Sequence, residues 1–163
     1  MIFDYYEENK PFVSLWLGNF ENVEQLQRYV ATVYLDFDAE NGDLEWQQKR
    51  NQWFLPTNAN RVGECELYQG SDESFNQFEY DFECYFDPDF MEVSFRNPTS
   101  DWIQLIENHS YYAQFKDIPI TLTQTYNAVI LIYNCAYDGH IANHTTDDYS
   151  LDYIAHFPYV KTP

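Results

Sequence analysis

The segment between Val62 and Phe95 limits most strongly what this chain can become. It carries ten carboxylates and nine aromatic rings but no lysine or arginine. Disordered acidic segments lack such rings and therefore cannot bury enough apolar surface to become ordered. The segment therefore predicts folded structure, with rings in the core and a negative face that meets something positively charged.

The composition is compatible with one folded domain. The chain has 163 residues, of which 45% are hydrophobic and 20% aromatic, enough for a sizeable core. Its net charge is −19, from 27 acidic and 8 basic residues. This charge argues against nucleic acid and anionic membranes as partners, because phosphate binding needs Lys and Arg. Basic proteins and divalent cations remain as possible partners. The alternative is that the charge serves solubility alone.

The cysteines and the apolar pattern indicate a cytoplasmic protein. The three cysteines form no C-x-x-C motif. Met1–Lys10 is acidic and lacks the apolar core of a signal peptide. The longest apolar run, Ala128–Tyr133, is far shorter than the roughly 20 residues of a membrane helix. We expect free thiols in a reducing, cytoplasmic compartment.

The first third of the chain predicts a strand, a helix and an insertion. Phe12–Leu17 has the apolar character of a strand. Asn22 is a suitable N-cap, with Gln25 three residues later, and apolar residues then recur at helical spacing. We expect the first helix over residues 23–35. Residues 36–61 follow neither period and are predicted to be an insertion between core elements.

The acidic segment itself predicts a second helix. Ser71 is the expected N-cap, and Phe75, Phe78 and Phe82 recur at positions i, i+3 and i+7. The carboxylates of this helix are therefore expected to point largely away from the core.

The remainder of the chain completes an α+β pattern. Met91–Phe95 reads as a strand, and Ser100 is expected to cap a third helix. Residues 110–115 either extend that helix or form a short fourth one. Tyr126–Ala136 is expected to lie centrally in the sheet, because its apolar run is continuous, and Leu151–Phe157 is the last strand. We predict a single domain with a mostly antiparallel sheet and three or four helices packed on it.

Catalytic and metal-binding patterns are weak. His140 and His144 stand four residues apart, but they follow a turn and read as loop residues. Residues 36–42 superficially resemble a calcium loop, yet Asn41 and Gln47 stand where the loop needs Gly and Glu. No nucleophile elbow, phosphate-binding loop or zinc-protease motif occurs. We predict no catalytic residue, no metal ligand and no cofactor.

The acidic segment favours a binding surface for a basic protein. The predicted contact carboxylates are Asp72, Glu73, Glu79, Glu83, Asp87, Asp89 and Glu92. Such a surface would attract Lys and Arg and accelerate association, and the 15 tyrosines would supply rigid contact area. A nuclease toxin is a suitable partner, because its active site is basic and carboxylates imitate phosphate charge. The alternative is a cation-binding or regulatory protein that uses the carboxylates around Asp87 and Asp89.

Several stretches resemble a known family. They are VSLWLGNFE at residues 13–21, YFDPDFME at residues 85–92 and YNAVILIYN at residues 126–134. Together with Asp81 and Phe82, they resemble the immunity protein 22 family, small proteins encoded beside bacterial polymorphic toxins. The resemblance implies an intracellular protein that neutralises a cognate toxin without catalysis or cofactor.

The family motif also suggests structural residues. These are Trp16, Gly18, Phe82 and Phe90. We expect Trp16 to lie in the core and Gly18 to serve a tight turn into the first helix.

Overall fold

A five-stranded antiparallel sheet forms the centre of the protein in the computed structural model, which describes residues 3–5, 11–34 and 74–161. The strands are β1 (Phe3–Asp4), β2 (Phe12–Asn19), β3 (Thr32–Tyr34), β4 (Ser74–Asn76), β5 (Cys84–Tyr85), β6 (Met91–Thr99), β7 (Tyr126–Tyr133), β8 (Asn143–Thr145) and β9 (Ser150–Pro158). The helices are α1 (Val23–Val30), α2 (Gln77–Phe82), α3 (Trp102–Ile106) and α4 (Tyr112–Phe115), with a 3-10 turn at Pro88–Phe90. The central sheet has the order β6-β7-β2-β9-β8, while β1 with β5 and β3 with β4 form two small sheets.

The two faces of the central sheet bury two separate clusters, because alternate residues of a strand point to opposite faces. On one face, Trp16 packs against Phe78 and Phe82 of α2. On the other, Leu15 and its neighbours pack with Leu105 of α3 and Phe115 of α4. Strand β7 lies between β6 and β2 and is covered on both faces, which explains its continuous apolar run. The predicted α+β architecture is confirmed.

Helix α1 starts as predicted but ends early. The Asn22 side chain accepts a hydrogen bond from the Gln25 backbone N–H at 2.8 Å, and the Gln25 side chain accepts one from the Glu21 backbone. The prediction of a helix to residue 35 was wrong, because α1 ends at Val30. The backbone turns extended at Ala31, and Thr32–Tyr34 pairs with β4 instead.

Helix α2 starts later than predicted. Its N-cap is Asn76, whose side chain accepts from the Glu79 backbone N–H at 3.1 Å. Phe75 belongs to β4, so only Phe78 and Phe82 form the predicted apolar stripe. The predicted cap Ser71 and the predicted insertion at residues 36–61 lie outside the described residues.

We had expected Gly18 to lie in a tight turn, but it lies inside β2. It pairs with Ala128 on one side and Leu151 on the other. A Cβ atom at this position would stand 2.6 Å from both the Leu151 Cδ1 atom and the Ser150 carbonyl oxygen. Glycine is needed here because β9 approaches closely.

The remaining elements differ from prediction in detail. Helix α3 is capped by Asp101 rather than Ser100, and residues 112–115 form the separate helix α4. Within the described ranges, none of the helices combines the length and apolar character needed to cross a membrane.

Candidate functional site

The predicted contact carboxylates have different environments. Asp72 and Glu73 lie outside the described residues. The expectation that Glu79 points outward was wrong, because its side chain is buried and accepts a hydrogen bond from the Phe86 backbone N–H at 3.4 Å. Glu79 therefore fastens the turn after α2 to the helix and presents no free carboxylate.

Asp81, part of the family motif, is an internal carboxylate. It is buried and accepts hydrogen bonds from the Gln77 amide at 2.8 Å and the Tyr149 hydroxyl at 2.7 Å. His144 Nε2 lies 3.4 Å from the same carboxylate. His144, which we had read as a loop histidine, is thus part of an internal polar network that joins α2 to β8 and the turn before β9.

Two further acidic residues shape the backbone. Asp87 accepts from the Asp89 backbone N–H at 3.0 Å and so begins the 3-10 turn. Glu92 accepts from the Ser110 backbone N–H at 3.1 and 3.3 Å, which ties β6 to the segment before α4. Asp89 is exposed, whereas Asp87 and Glu92 are half-buried.

Glu83 is linked to a histidine that the sequence did not associate with it. His140 Nε2 lies 3.0 Å from Glu83 Oε2, and His140 Nδ1 lies 2.6 Å from Asp138 Oδ1. Burial works against a protonated His140, but the hydrogen bonds and charges of Asp138 and Glu83 outweigh it and raise the pKa of His140. The hydrogen bond from His140 in turn lowers the pKa of Asp138. The geometry favours an imidazolium between two carboxylates.

An exposed aromatic ring lies within this acidic region. Tyr85 is 48% exposed and stands in β5, directly after Cys84 and two residues from both Glu83 and Asp87. Asp4 is its register partner in β1 and is exposed as well. We define the acidic surface by these residues: Asp4, Glu83, Tyr85, Asp87, Asp89 and Asp138.

The structural residues of the motif lie in or near the core. Trp16 and Phe82 are fully buried, and their ring centroids are 5.9 Å apart. Phe90 is half-buried at the end of the 3-10 turn and packs against the cluster that contains Leu15.

Another histidine links β6 to α3. His109 Nε2 lies 2.8 Å from the Ser94 hydroxyl, and its Nδ1 lies 2.9 Å from the Ile106 carbonyl oxygen. The carbonyl can only accept, so Nδ1 carries the proton, and Nε2 accepts from Ser94 when the ring is neutral. Burial lowers the pKa of His109, which favours that neutral form. In the described part of the chain, no three His, Cys, Asp or Glu side chains converge as metal ligands would.

The fold and the acidic surface define a small α+β protein that carries a cluster of surface carboxylates. The family model named Immunity protein 22 matches residues 13–160, so the chain belongs to this family of immunity proteins. Membership implies binding to a cognate toxin, and such families are generally non-catalytic. No curated protein and no solved structure matches the chain.

Proposed function

We propose that this protein neutralises a cognate bacterial toxin by binding it in the cytoplasm, without catalysis, through the acidic surface. The family match over residues 13–160 carries the proposal. It is supported by the five carboxylates of the acidic surface, of which Asp4 pairs with Tyr85 and Glu83 and Asp138 both contact His140.

Charge and shape at the acidic surface suit a basic partner. Opposite charge accelerates the encounter of two proteins, and an exposed tyrosine contributes contact area at low entropic cost. Tyr85 supplies such a ring beside Asp87 and Asp89. Glu79 is left out of the contact because it is buried, and Glu92 because both of its carboxylate oxygens accept from the Ser110 backbone. Asp87 stays in the contact because only its Oδ1 atom serves an internal hydrogen bond.

The toxin is a basic nuclease in this proposal. A nuclease active site attracts phosphate, so carboxylates held on a folded surface would occupy the same positive groove. The acidic surface would then cover the active site, and inhibition would be stoichiometric.

Cation binding around Asp87 and Asp89 is the competing function. The Asp87 Oδ1 atom already accepts a backbone hydrogen bond, and within the described ranges no third His, Cys, Asp or Glu side chain joins Asp87 and Asp89 as a metal ligand would. Ligand binding to the folded state raises the melting temperature. An increase with millimolar calcium would favour this alternative.

Co-expression with the toxin encoded beside this gene tests the proposal. We expect the wild-type protein to restore growth, and failure to bind or protect would refute the function. To locate the contact, Glu83, Asp87 and Asp89 are changed together to lysine. The matched control changes the exposed Glu24, Glu107 and Asp147 to lysine, which alters the net charge equally. Association should slow far more in the first variant. Equal slowing would move the contact elsewhere.

A further inference from the structure

Strand β6 forms one edge of the central sheet. The strand order is β6-β7-β2-β9-β8, so β7 occupies only one of the two sides of β6. Within the described ranges, no backbone–backbone hydrogen bond joins residues 91–97 to a segment other than β7. An edge strand presents a row of N–H and C=O groups to which another strand can add. The outer side of β6 is therefore available for pairing with a further chain.

One face of this edge is apolar. Met91 and Val93 pack against the cluster that contains Trp16. Phe95 lies on the same face, because alternate residues of a strand share a face, and it remains 38% exposed. A neighbouring strand would cover this exposed ring.

The other face carries the base Arg96. It is the only Lys or Arg between Arg61 and Lys116, and it stands four residues after Glu92. Arg96 and Glu92 share a face, but four residues of an extended strand span about 13 Å. Among the described residues, the recorded ion pairs do not include one between these two side chains. The edge thus carries one acid and one base whose charges are not paired with each other.

A second, antiparallel copy of β6 matches this pattern. In a two-fold arrangement centred on Ser94, Glu92 of each copy lies opposite Arg96 of the other. Residues directly opposite each other have Cβ atoms about 4.5–5.5 Å apart, so two ion pairs can form. Val93 lies opposite Phe95 in the same register, and pairs of β-branched and aromatic side chains are favourable. The strand is therefore complementary to itself.

The neighbouring symmetric registers lack this match. Centring the pair on Val93 places Glu92 opposite Ser94. Centring it on Phe95 places Glu92 opposite Pro98, which has no N–H to contribute to the pairing. Charge and backbone donors together favour the register centred on Ser94.

The present contacts of the two charged side chains leave hydrogen-bonding capacity for these ion pairs. The Ser110 N–H is a neutral donor, so Glu92 keeps its charge, and each of its oxygens has a further lone pair. The Arg96 guanidinium has five N–H donors, and its contacts with the Ser94 hydroxyl and the Glu107 carbonyl use two of them.

The net charge of −19 does not prevent this pairing, because the antiparallel arrangement separates the acidic surfaces. The 3-10 turns that precede β6 lie at opposite ends of the paired strands. Met91 of one copy is six residues, or about 20 Å along the strands, from Met91 of the other. This distance exceeds the Debye length of about 8 Å at physiological ionic strength, so repulsion between the two surfaces is largely screened.

We propose that two copies of this protein pair through β6 and form a symmetric dimer with one continuous ten-stranded sheet. The acidic surfaces lie at the two far ends of the paired strands, so the dimer presents both of them to toxin. The proposal does not depend on the immunity function, because the pairing involves no toxin.

The oligomeric state of the full chain without toxin tests this proposal. Sedimentation equilibrium at physiological salt should give twice the monomer mass at micromolar concentrations. Arg96→Glu places like charges opposite each other twice per dimer and should weaken association at least about tenfold. The control Lys116→Glu changes the net charge equally at an exposed residue outside β6 and should leave association nearly unchanged. Equal weakening by both variants would overturn the β6 contact.

A charge swap tests the register. Combining Glu92→Arg with Arg96→Glu restores opposite charges across the pair, so this double variant should dimerise more tightly than Arg96→Glu alone. Circular dichroism identifies the variants that are folded. A folded double variant that associates as weakly as Arg96→Glu would overturn the proposed pairing.

Hydrogen exchange follows the edge in the wild-type protein, without any substitution. Peptides that cover residues 91–97 should become more protected as the protein concentration rises, whereas peptides that cover β8, at the opposite edge, should not. A wild-type protein that stays monomeric up to about 100 µM, a range that includes weak specific complexes, would overturn the dimer. Protection of β6 that appears only with inactivated toxin would also overturn it and would identify a toxin strand as the occupant.

Discussion

The hydrogen bond between Tyr149 and Asp81 allows a sharp prediction for the variant Tyr149→Phe. Both side chains are buried, and the hydroxyl donates to the Asp81 Oδ2 atom at 2.7 Å. The phenylalanine ring keeps the stacking on Phe20, whose centroid is 5.3 Å away, so the change removes only the hydroxyl. Hydrogen bonds to charged groups contribute about 1.5–3 kcal/mol, and we expect a loss of about 2 kcal/mol in the free energy of unfolding.

Urea denaturation and thermal unfolding measure this loss. For a chain of this length, about 2 kcal/mol corresponds to a decrease of about 4–8 °C in melting temperature. The matched control is Tyr112→Phe, because Tyr112 is 36% exposed and its hydroxyl has no hydrogen bond among the described residues. The control should stay within about 0.5 kcal/mol of the wild type.

Toxin binding separates the structural role of Asp81 from a contact role. At a temperature where both proteins are folded, Tyr149→Phe should bind the toxin like the wild type, since the altered hydroxyl is buried. A loss of less than about 0.5 kcal/mol in stability would refute the reasoning on the buried network. Unchanged stability with weakened binding would show instead that this region contacts the toxin.

Three further substitutions test the packing and the two histidines. Gly18→Ala should destabilise the fold by about 1–3 kcal/mol in urea denaturation, because the added Cβ meets the β9 backbone. The raised pKa of His140 means that its stabilising contribution is complete below the unfolded-state value of about 6.5 and is lost as pH rises through the folded-state value. The melting temperatures of the wild type and His140→Gln should therefore converge from pH 5.5 to pH 8.5, and a constant difference would contradict the ion pair. The lowered pKa of His109 gives the opposite pH dependence of stability. Its neutral form contributes fully above the unfolded-state pKa of about 6.5, and this contribution is lost as pH falls through the folded-state pKa. His109→Gln should accordingly reduce the loss of stability on acidification, and an unchanged pH profile would argue against burial of the neutral ring.

The sequence pattern predicted the structure correctly where contacts between near neighbours in the chain determine it. Asn22 and Gln25 cap α1 as predicted, and the apolar run of β7 lies in the middle of the sheet. Phe75 shows where local pattern fails, because its spacing to Phe78 fits a helix equally well. The decisive contact is remote: the Asn76 side chain donates to the Val30 carbonyl oxygen, 46 residues earlier, and β4 pairs with β3.

The candidate site was predictable only in part, for the same reason. Glu79 and Glu83 stand on one short segment, and composition treats them alike. Their environments differ because Glu79 meets the Phe86 backbone, whereas Glu83 meets His140, 57 residues later. Asp4 and Asp138 joined the surface only through the β1–β5 pairing and the His140 contact. No periodicity in the sequence encodes such long-range neighbours.

The large negative charge thus separates into an internal and an external part. Glu79, Asp81 and Glu92 each have neutral hydrogen-bond donors that stabilise the fold, so their charge serves the structure. Asp87 also accepts one backbone hydrogen bond, but neither it nor Asp89 has an ion pair with a basic side chain among the described residues. Repulsion among surface carboxylates of this kind is screened by salt and offset by a cationic partner. We therefore expect salt to raise the stability of the protein and to slow its association with the toxin, and both effects should originate at the same few carboxylates. Lysine substitutions at these positions should weaken both salt effects together.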